Sequence, residues 1–367
     1  MSSLAFFWPR GLRAVAATAT LLTALTVVSV TGVTTAPAPA AAATPTLAVG
    51  TQFHGTWAEM SDADRARNLD MIAESGASWV RIDISWSMIQ PTQRGVYHTQ
   101  WGVPFVEKIL NMAHERGLKV LGTFWLTPQW ASGTTNKRVL PKDPADYAAA
   151  LKWAAARWKT QVQAWEVWNE PNLKDYLSPP DPVAYTSLLK AAYPALKAGN
   201  PNAQLVAMAT MYVDTDWIGK AYAAGARGSF DVVSVHSYQG YANKPPADPA
   251  LGRRERMTHT SELIKLMQAK GDGSKKIWFT EFGWSVHDNT SSTEVWLLGV
   301  TEKTQAEYLR WSLSMIQGRW PQVTHAFWYN SRDTDTGRLH SDRRGLIRRD
   351  FTARPALREI TCFTKGC

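Results

Sequence analysis

The sequence predicts an α/β protein folded as a single (β/α)8 barrel, and three observations carry that expectation. Eight short β-branched or aromatic runs recur along the chain, at residues 51–55, 78–84, 119–125, 162–168, 204–210, 231–237, 276–281 and 323–329. Longer segments of helical period separate them. No low-complexity linker interrupts residues 50–360. Strand and helix alternating in one domain is the pattern of a parallel sheet, and eight units in this length point to a closed barrel. A doubly wound open sheet is the alternative. It would place a glycine-rich phosphate turn after the first strand, where this chain reads FHGTWAEMS with one glycine.

The helical segments follow in order. SDADRARNLDMIAESG (61–76) opens with a Ser-x-x-Asp capping signal and stops at a glycine. In PFVEKILNMAHERG, Phe105, Ile109, Met112 and Ala113 recur on one helical face. In PADYAAALKWAAARW, which starts at a proline, Tyr147, Leu151, Ala154 and Trp158 do the same. DPVAYTSLLKAAYPALKAG and TSELIKLMQAKG each end at a glycine, and TQAEYLRWSLSMIQG precedes the last strand.

Residues 1–43 are of another kind. Arg10 and Arg13 are followed by a run without charge from Ala14 to Val33, then by TTAPAPAAAAT. A short positive region, an apolar stretch and small residues around Ala41 to Ala43 read as a signal peptide, leaving residues 44–367 as one barrel domain. An uncleaved membrane anchor is the alternative, because the run is long enough to span a bilayer. Its many Ala and Thr residues make it only weakly apolar, which favours cleavage and a secreted, extracellular protein with no membrane attachment.

The whole chain carries a formal charge of +9. The leader holds two arginines and no acidic residue, so +7 remains without it. Much of the excess is arginine near the C-terminus: Arg338, Arg343, Arg344, Arg348, Arg349, Arg354 and Arg358. No stripe of bases interleaved with aromatics accompanies it, so a nucleic-acid partner is not expected. The two cysteines, Cys362 and Cys367, are placed to close a small loop at the tail and cannot staple the core. Stability must rest on burial, which a chain of this length supplies.

Strand side chains alternate between faces, so parity sorts them. In WVRIDISW, Val80, Ile82 and Ile84 oppose Arg81, Asp83 and Ser85; in DVVSVHSY, Val233 and Val235 oppose Ser234, His236 and Tyr238. Glu281 shares parity with Ile277 and Phe279, and Trp328 with Ala326 and Asn330. Helices cover the outside of a barrel, so the β-branched faces belong there. The polar faces then point into the mouth, where buried charges need partners.

The stretch WEVWNEPN (165–172) holds two glutamates four apart, a helical spacing. Pro171 and the β-branched, aromatic run before it make it a strand end instead. Parity puts Glu166, Trp168 and Glu170 on one face, with Glu170 at the C-terminal end and Glu166 deeper. Glu281 ends the seventh strand. In a barrel the ends of these two strands face one another across the mouth. Two carboxylates so placed, one protonated and one ionised, are the minimum for glycoside hydrolysis.

These residues carry a resemblance. Asn169-Glu170-Pro171 after strand four and Thr280-Glu281-Phe282-Gly283-Trp284 after strand seven resemble clan A retaining glycoside hydrolases. The longer run WEVWNEPNLKDY is similar to family 39 β-xylosidases and related exopolysaccharide-cleaving enzymes, while TEFGW is commoner in other branches of the clan. The resemblance spans roughly residues 50–360. It implies Glu170 as acid/base and Glu281 as nucleophile in a double displacement. It implies Asn169 on the sugar 2-hydroxyl, His236 and Tyr238 as the strand-six pair, Arg81 beside the nucleophile, and Trp328 as the floor of the cleavage subsite. Structural readings stand beside these: Arg81 as a partner for Asp83 or Glu166, His236 as a satisfied core histidine, Trp328 as core packing.

The chain holds 18 tryptophans, and sugars stack their C–H faces on aromatic rings. Trp86, Trp125, Trp130 and Trp284 follow strand ends and are candidates for the cleft, Trp125 first among them. Trp153, Trp158 and Trp311 lie in helical segments and read as core. The eight histidines show neither HExxH nor His-x-His spacing, so no catalytic metal and no cofactor are expected. Asp333-Thr-Asp335-Thr-Gly337 lacks the further ligands of a calcium loop and reads as a turn. The expected protein is a monomer hydrolysing β-linked polysaccharide or oligosaccharide. A transglycosylase using the same intermediate and a non-catalytic carbohydrate-binding barrel are the alternatives. Loops such as 131–144 and 237–252 decide between pocket and open cleft.

Overall fold

The computed structural model describes residues 47–248 and 254–367; the expected leader, residues 1–43, lies outside them. Within the described residues eight parallel strands close in sequence order into a barrel. They are β1 (Ala48–Gln52), β2 (Trp79–Ser85), β3 (Lys119–Trp125), β4 (Val162–Val167), β5 (Gln204–Met211), β6 (Val232–His236), β7 (Lys276–Phe282) and β8 (Val323–Trp328). Seven fall within a residue or so of the predicted runs. β1 begins three residues before its run, because the ring closes where Ala48 pairs with His325 and Gly50 with Phe327. Gly50 is required there: a Cβ on it would come within 2.6 Å of the Phe327 ring and 2.9 Å of Trp79 Cβ.

One major helix follows each strand: α1 (Asp62–Glu74), α2 (Gly102–His114), α3 (Pro144–Arg157), α4 (Pro182–Gly199), α5 (Thr215–Ala223), α6 (Thr260–Ala269), α7 (Glu302–Arg319) and α8 (Pro355–Lys365). The α1 start obeys its capping signal, with the Ser61 hydroxyl accepting from the Asp64 amide. Asp143 and Asp181 cap α3 and α4 in the same way, each one residue before a proline. The sequence reading missed α5 and α8. α5 has only nine residues, too few for a full periodic signal. α8 is anchored by packing on α7 and closed by a disulfide between Cys362 and Cys367.

Parity holds along the lower two thirds of the strands. Val80, Ile82, Ile84, Val233 and Val235 join the large apolar core between barrel and helices. Inside the barrel, Trp79, Leu121, Ala164, Val206, Val232, Trp278 and Phe327 form a separate buried layer that plugs its base. One step toward the C-terminal ends, the inward positions turn polar: Gln52, Arg81, Thr123, Glu166 and Ser234, all fully or almost fully buried. The site is built on this second layer. Trp158 is core as expected, but Trp311 is 46% exposed on α7, on the side turned from the sheet. The Asp333–Gly337 segment is a turn: the Asp342 carboxylate accepts from Thr334, Thr336 and the Arg338 amide, while Asp333 pairs with Arg354.

Candidate active site

Glu166 lies deepest and is fully buried. Arg81 meets it through Nε at 2.8 Å, and the Thr123 and Ser234 hydroxyls each donate to it at 3.0 Å. Burial opposes its charge, but the Arg81 guanidinium outweighs that, and the carboxyl is held below its ordinary value. Arg81 then reaches upward. Its Nη1 donates to Glu281 Oε1 at 2.7 Å and to Gln52 Oε1 at 2.8 Å, and its Nη2 donates to Asn169 Oδ1 at 2.7 Å. The two readings of Arg81 are therefore both realised: it is the counter-ion of Glu166 and the neighbour of Glu281. A buried guanidinium with all these acceptors has no reason to lose its proton.

Two backbone irregularities bring Glu170 and Glu281 to this point. Simple alternation would turn Asn169 away from Glu170. Instead Trp168 takes φ +70° and Glu170 φ +43°, both in the left-handed region. The predicted shared face of Glu166, Trp168 and Glu170 is therefore corrected. Trp168 packs into the outer core, with its indole donating to the Tyr176 carbonyl at 3.0 Å, and Asn169 and Glu170 both face the mouth. A bulge in β5 at Met208 and Ala209 supports the turn, since the Glu170 amide donates to the Ala209 carbonyl at 3.1 Å.

Parity likewise fails at Glu281, which by its companions Ile277 and Phe279 belongs outside. The β7–β8 register shifts between Phe279 and Phe282, and Glu281 turns inward to Arg81 and Tyr238. Gly283 follows with φ +155°, and a Cβ there would lie 2.8 Å from the Tyr329 carbonyl. The glycine of TEFGW is needed for that close approach.

The two glutamates have different surroundings. Glu281 Oε1 accepts from Arg81, and Oε2 accepts from the Tyr238 hydroxyl at 2.8 Å. Burial and the neighbouring Glu170 push its carboxyl above its ordinary value, and Arg81 and the Tyr238 hydrogen bond offset only part of that push. Glu170 Oε1 lies 2.8 Å from His236 Nδ1 and has no such cationic fork. Burial raises its pKa to about 7, with Arg81 and Arg344 only partly offsetting this. Burial also lowers His236 to about 4, so its ring is neutral at pH 7. A neutral imidazole suits either state of Glu170, donating from Nδ1–H to a carboxylate or accepting at Nδ1 from a carboxylic acid.

Oxygens of Glu170 and Glu281 and a ring nitrogen of His236 all lie within 4.8 Å of one another. Among the described residues this is the only trio with metal-ligand spacing. Hydrogen bonds from Arg81 and Tyr238 already engage both Glu281 oxygens, so its donor atoms are committed to that network.

Of the predicted site residues, Glu170, Glu281, Asn169, His236, Tyr238 and Arg81 converge in one cluster. Trp125 sits at the top of β3 with 9% exposure, edge-on to Trp168 at 6.5 Å and tilted against Tyr176 at 6.2 Å. Trp328 is placed otherwise than its predicted role requires. It shares the outer face of β8 with Ala326, as its parity says, and is fully buried between Phe282 and Trp284. Its indole donates to the Arg344 carbonyl at 2.8 Å, so it presents packing rather than a stacking face. Of the other cleft candidates, Trp86 is fully buried, and Trp284 is almost so, its indole donating to the Lys244 carbonyl.

Sequence reasoning missed one side of the mouth. Gln52 donates to Asp83 Oδ2 at 3.0 Å, and His54 lies 3.9 Å from the same oxygen, its ring stacked on Trp57 at 4.0 Å. His54 is 5% exposed, and neither ring nitrogen has a hydrogen-bond partner. Its sequence signal is FHGTW, directly after the first strand, where parity no longer applies.

Comparisons with known proteins agree with this architecture. Residues 40–316 match the model of a family described as cellulase (glycosyl hydrolase family 5). Among solved structures, a family 39 glycoside hydrolase from the gut symbiont Bacteroides cellulosilyticus aligns with TM-score 0.66 and 23% identity, covering 88% of this chain and 64% of that one. A monomeric β-xylosidase from Caulobacter crescentus aligns with TM-score 0.64 and 16% identity over 87% of this chain and 67% of its own. A family 5 subfamily 18 variant from Streptomyces cattleya, in complex with Manβ1-4GlcNAc, aligns with TM-score 0.65 and 20% identity over 87% and 80%. At these identities the structures speak for the fold, a barrel common to families 5 and 39 of clan A. The family match itself spans β1 to β7, holds both strand-end glutamates and covers most of the sequence: the chain belongs to the cellulase family, glycosyl hydrolase family 5.

Proposed function

We propose that this protein is a secreted retaining glycoside hydrolase that cleaves β-linked polysaccharide or oligosaccharide. The observation that carries the reading is the approach of Glu170 and Glu281, whose oxygens come within 4.8 Å around His236. Retaining enzymes keep their carboxyls about 5 Å apart, whereas inverting enzymes need room for a water between them. Family 5 membership and the carbohydrate-active structural neighbours support the substrate class.

Glu170, protonated near neutral pH, gives its proton to the leaving glycosidic oxygen. Glu281, ionised against Arg81 and Tyr238, attacks the anomeric carbon and forms a glycosyl-enzyme ester. Glu170, now a carboxylate, takes a proton from water as that water attacks the same carbon, and the ester breaks. Each step leaves its proton on Glu170 or the product, so the cycle closes. Because Asn169 Oδ1 is held by Arg81, the Asn169 amide NH2 is turned to donate to the sugar 2-hydroxyl. Export rests on the leader reading of residues 1–43.

The test is stereochemical. Proton NMR of the first product from an aryl β-glycoside or oligosaccharide should show the β-anomer before mutarotation. With azide, Glu170→Ala should yield the β-glycosyl azide and Glu281→Ala the α-azide. A first-formed α-anomer, or near-full activity in either variant, refutes the mechanism.

A further inference from the structure

The basic C-terminal segment divides into arginines that are neutralised and arginines that are not. Arg343 lies 3.7 Å from Asp333, Arg348 is paired with Glu302, Arg349 with Asp335, and Arg354 with both Asp333 and Glu302. Arg344 has no such partner: among the described residues no carboxylate oxygen lies within ion-pair distance of it. Its guanidinium lies 4.3 Å from the centre of the Tyr238 ring, the same tyrosine whose hydroxyl holds Glu281. Its Nη2 meets His340, a ring kept neutral by burial, and its Nε is buried with no acceptor. A cation is thus held one aromatic ring from Glu281 by neutral groups alone, on a side chain that is only partly buried.

A guanidinium recognises planar carboxylates better than hydroxyls. We propose that Arg344 forms an anion-recognising subsite beside the catalytic pair, and that the substrate is an acidic glycan with a uronate carboxylate on a sugar next to the cleaved bond. The cation offsets the repulsion that Glu281 and Glu166 would otherwise exert on such a sugar. Arg338, exposed on the same segment and, among the described residues, also without an ion-pair partner, adds positive charge near Tyr176. This rests on the hydrolase reading of the same mouth, and the experiment separates the two.

Binding is measured by calorimetry on Glu281→Gln, so that no turnover is needed. The probes are oligomers of β-1,4-linked glucuronate and of β-1,4-linked mannuronate, each beside its carboxyl-reduced neutral form, with a sulfated cello-oligosaccharide as a further arm. At least one uronate oligomer should bind tenfold or more tighter than its reduced form. Adding Arg344→Gln should abolish that ratio, Arg344→Lys should keep part of it, and Arg349→Gln, far along the paired set, should leave it unchanged. Three results overturn the proposal: no uronate preference, a preference that survives Arg344→Gln, or a preference for sulfate over carboxylate. The stereochemical assay on wild type is independent, so hydrolysis can stand while acidic selectivity falls.

Discussion

The base and the mouth of this barrel are made by the same strands, two residues apart, and they follow opposite rules. At the base, Trp79, Leu121, Ala164, Val206, Val232, Trp278 and Phe327 fill the interior with apolar surface. Such burial stabilises each large side chain by about 1.5–3 kcal/mol. At the mouth, the next inward residues are Arg81, Glu166 and Ser234, with His236 one step above, and burial of such groups costs free energy unless every charge finds a partner. Position along the strand, not face, separates stability from chemistry. Truncation in the lower layer should cost stability and spare activity, and neutralising a strand-end glutamate in the upper layer should cost activity and spare stability.

The sharpest way to test this contrast is at the top. Glu281→Gln should reduce kcat by on the order of 10⁵-fold, as removal of a nucleophile does, and Glu170→Ala by about 10²–10⁴-fold, while both still unfold cooperatively in urea. Comparable losses of stability in both would erase the distinction drawn here. Arg81→Ala belongs to both regions. Removing it strands Glu166 fully buried, so a cost of about 3–5 kcal/mol in chemical denaturation is expected along with near-complete loss of activity. Trp278→Ala probes the base alone. A cavity in the plug should cost about 3–5 kcal/mol, with kcat/KM of the folded fraction within a few fold of wild type.

The pH dependence gives a finer measure. The Glu170 carboxyl is raised to about 7 in the folded protein, above the value of 4.5 it has when unperturbed. The folded state therefore binds this proton more tightly than the unfolded state does. Its contribution to stability is full below pH 4.5 and is lost as pH rises toward 7. Glu170→Gln should gain relative stability over that window and hold the gain above it. In wild type the alkaline limb of kcat/KM should fall near pH 7, where Glu170 loses its proton. The smallest effect is expected far from both regions. Replacing Cys362 and Cys367 by serine opens a loop with a sequence separation of 5 and should cost no more than about 2 kcal/mol, with no kinetic change.

Much of the site was legible before the fold was known, and the exceptions share a cause. Arg81, Glu166 and His236 were placed by alternation, because β2, β4 and β6 are regular where those residues sit. Trp168 and Glu281 broke alternation, one through left-handed backbone and one through a register shift. His54 stands just beyond the end of β1 rather than on a regular strand, so alternation says nothing of it.

By itself the sequence determined the order of strands and helices, their caps, the apolar outer faces and the pair of strand-end glutamates. Those features are local: they depend on periodicity and on neighbours within a few residues. Only the tertiary structure decided which polar residues meet. Arg81 bridging Glu166, Glu281 and Asn169, Trp328 turned into the core, and Arg344 left without a carboxylate all depend on contacts between distant segments. Ring closure, bulges and register set those contacts, and no short window of sequence encodes them.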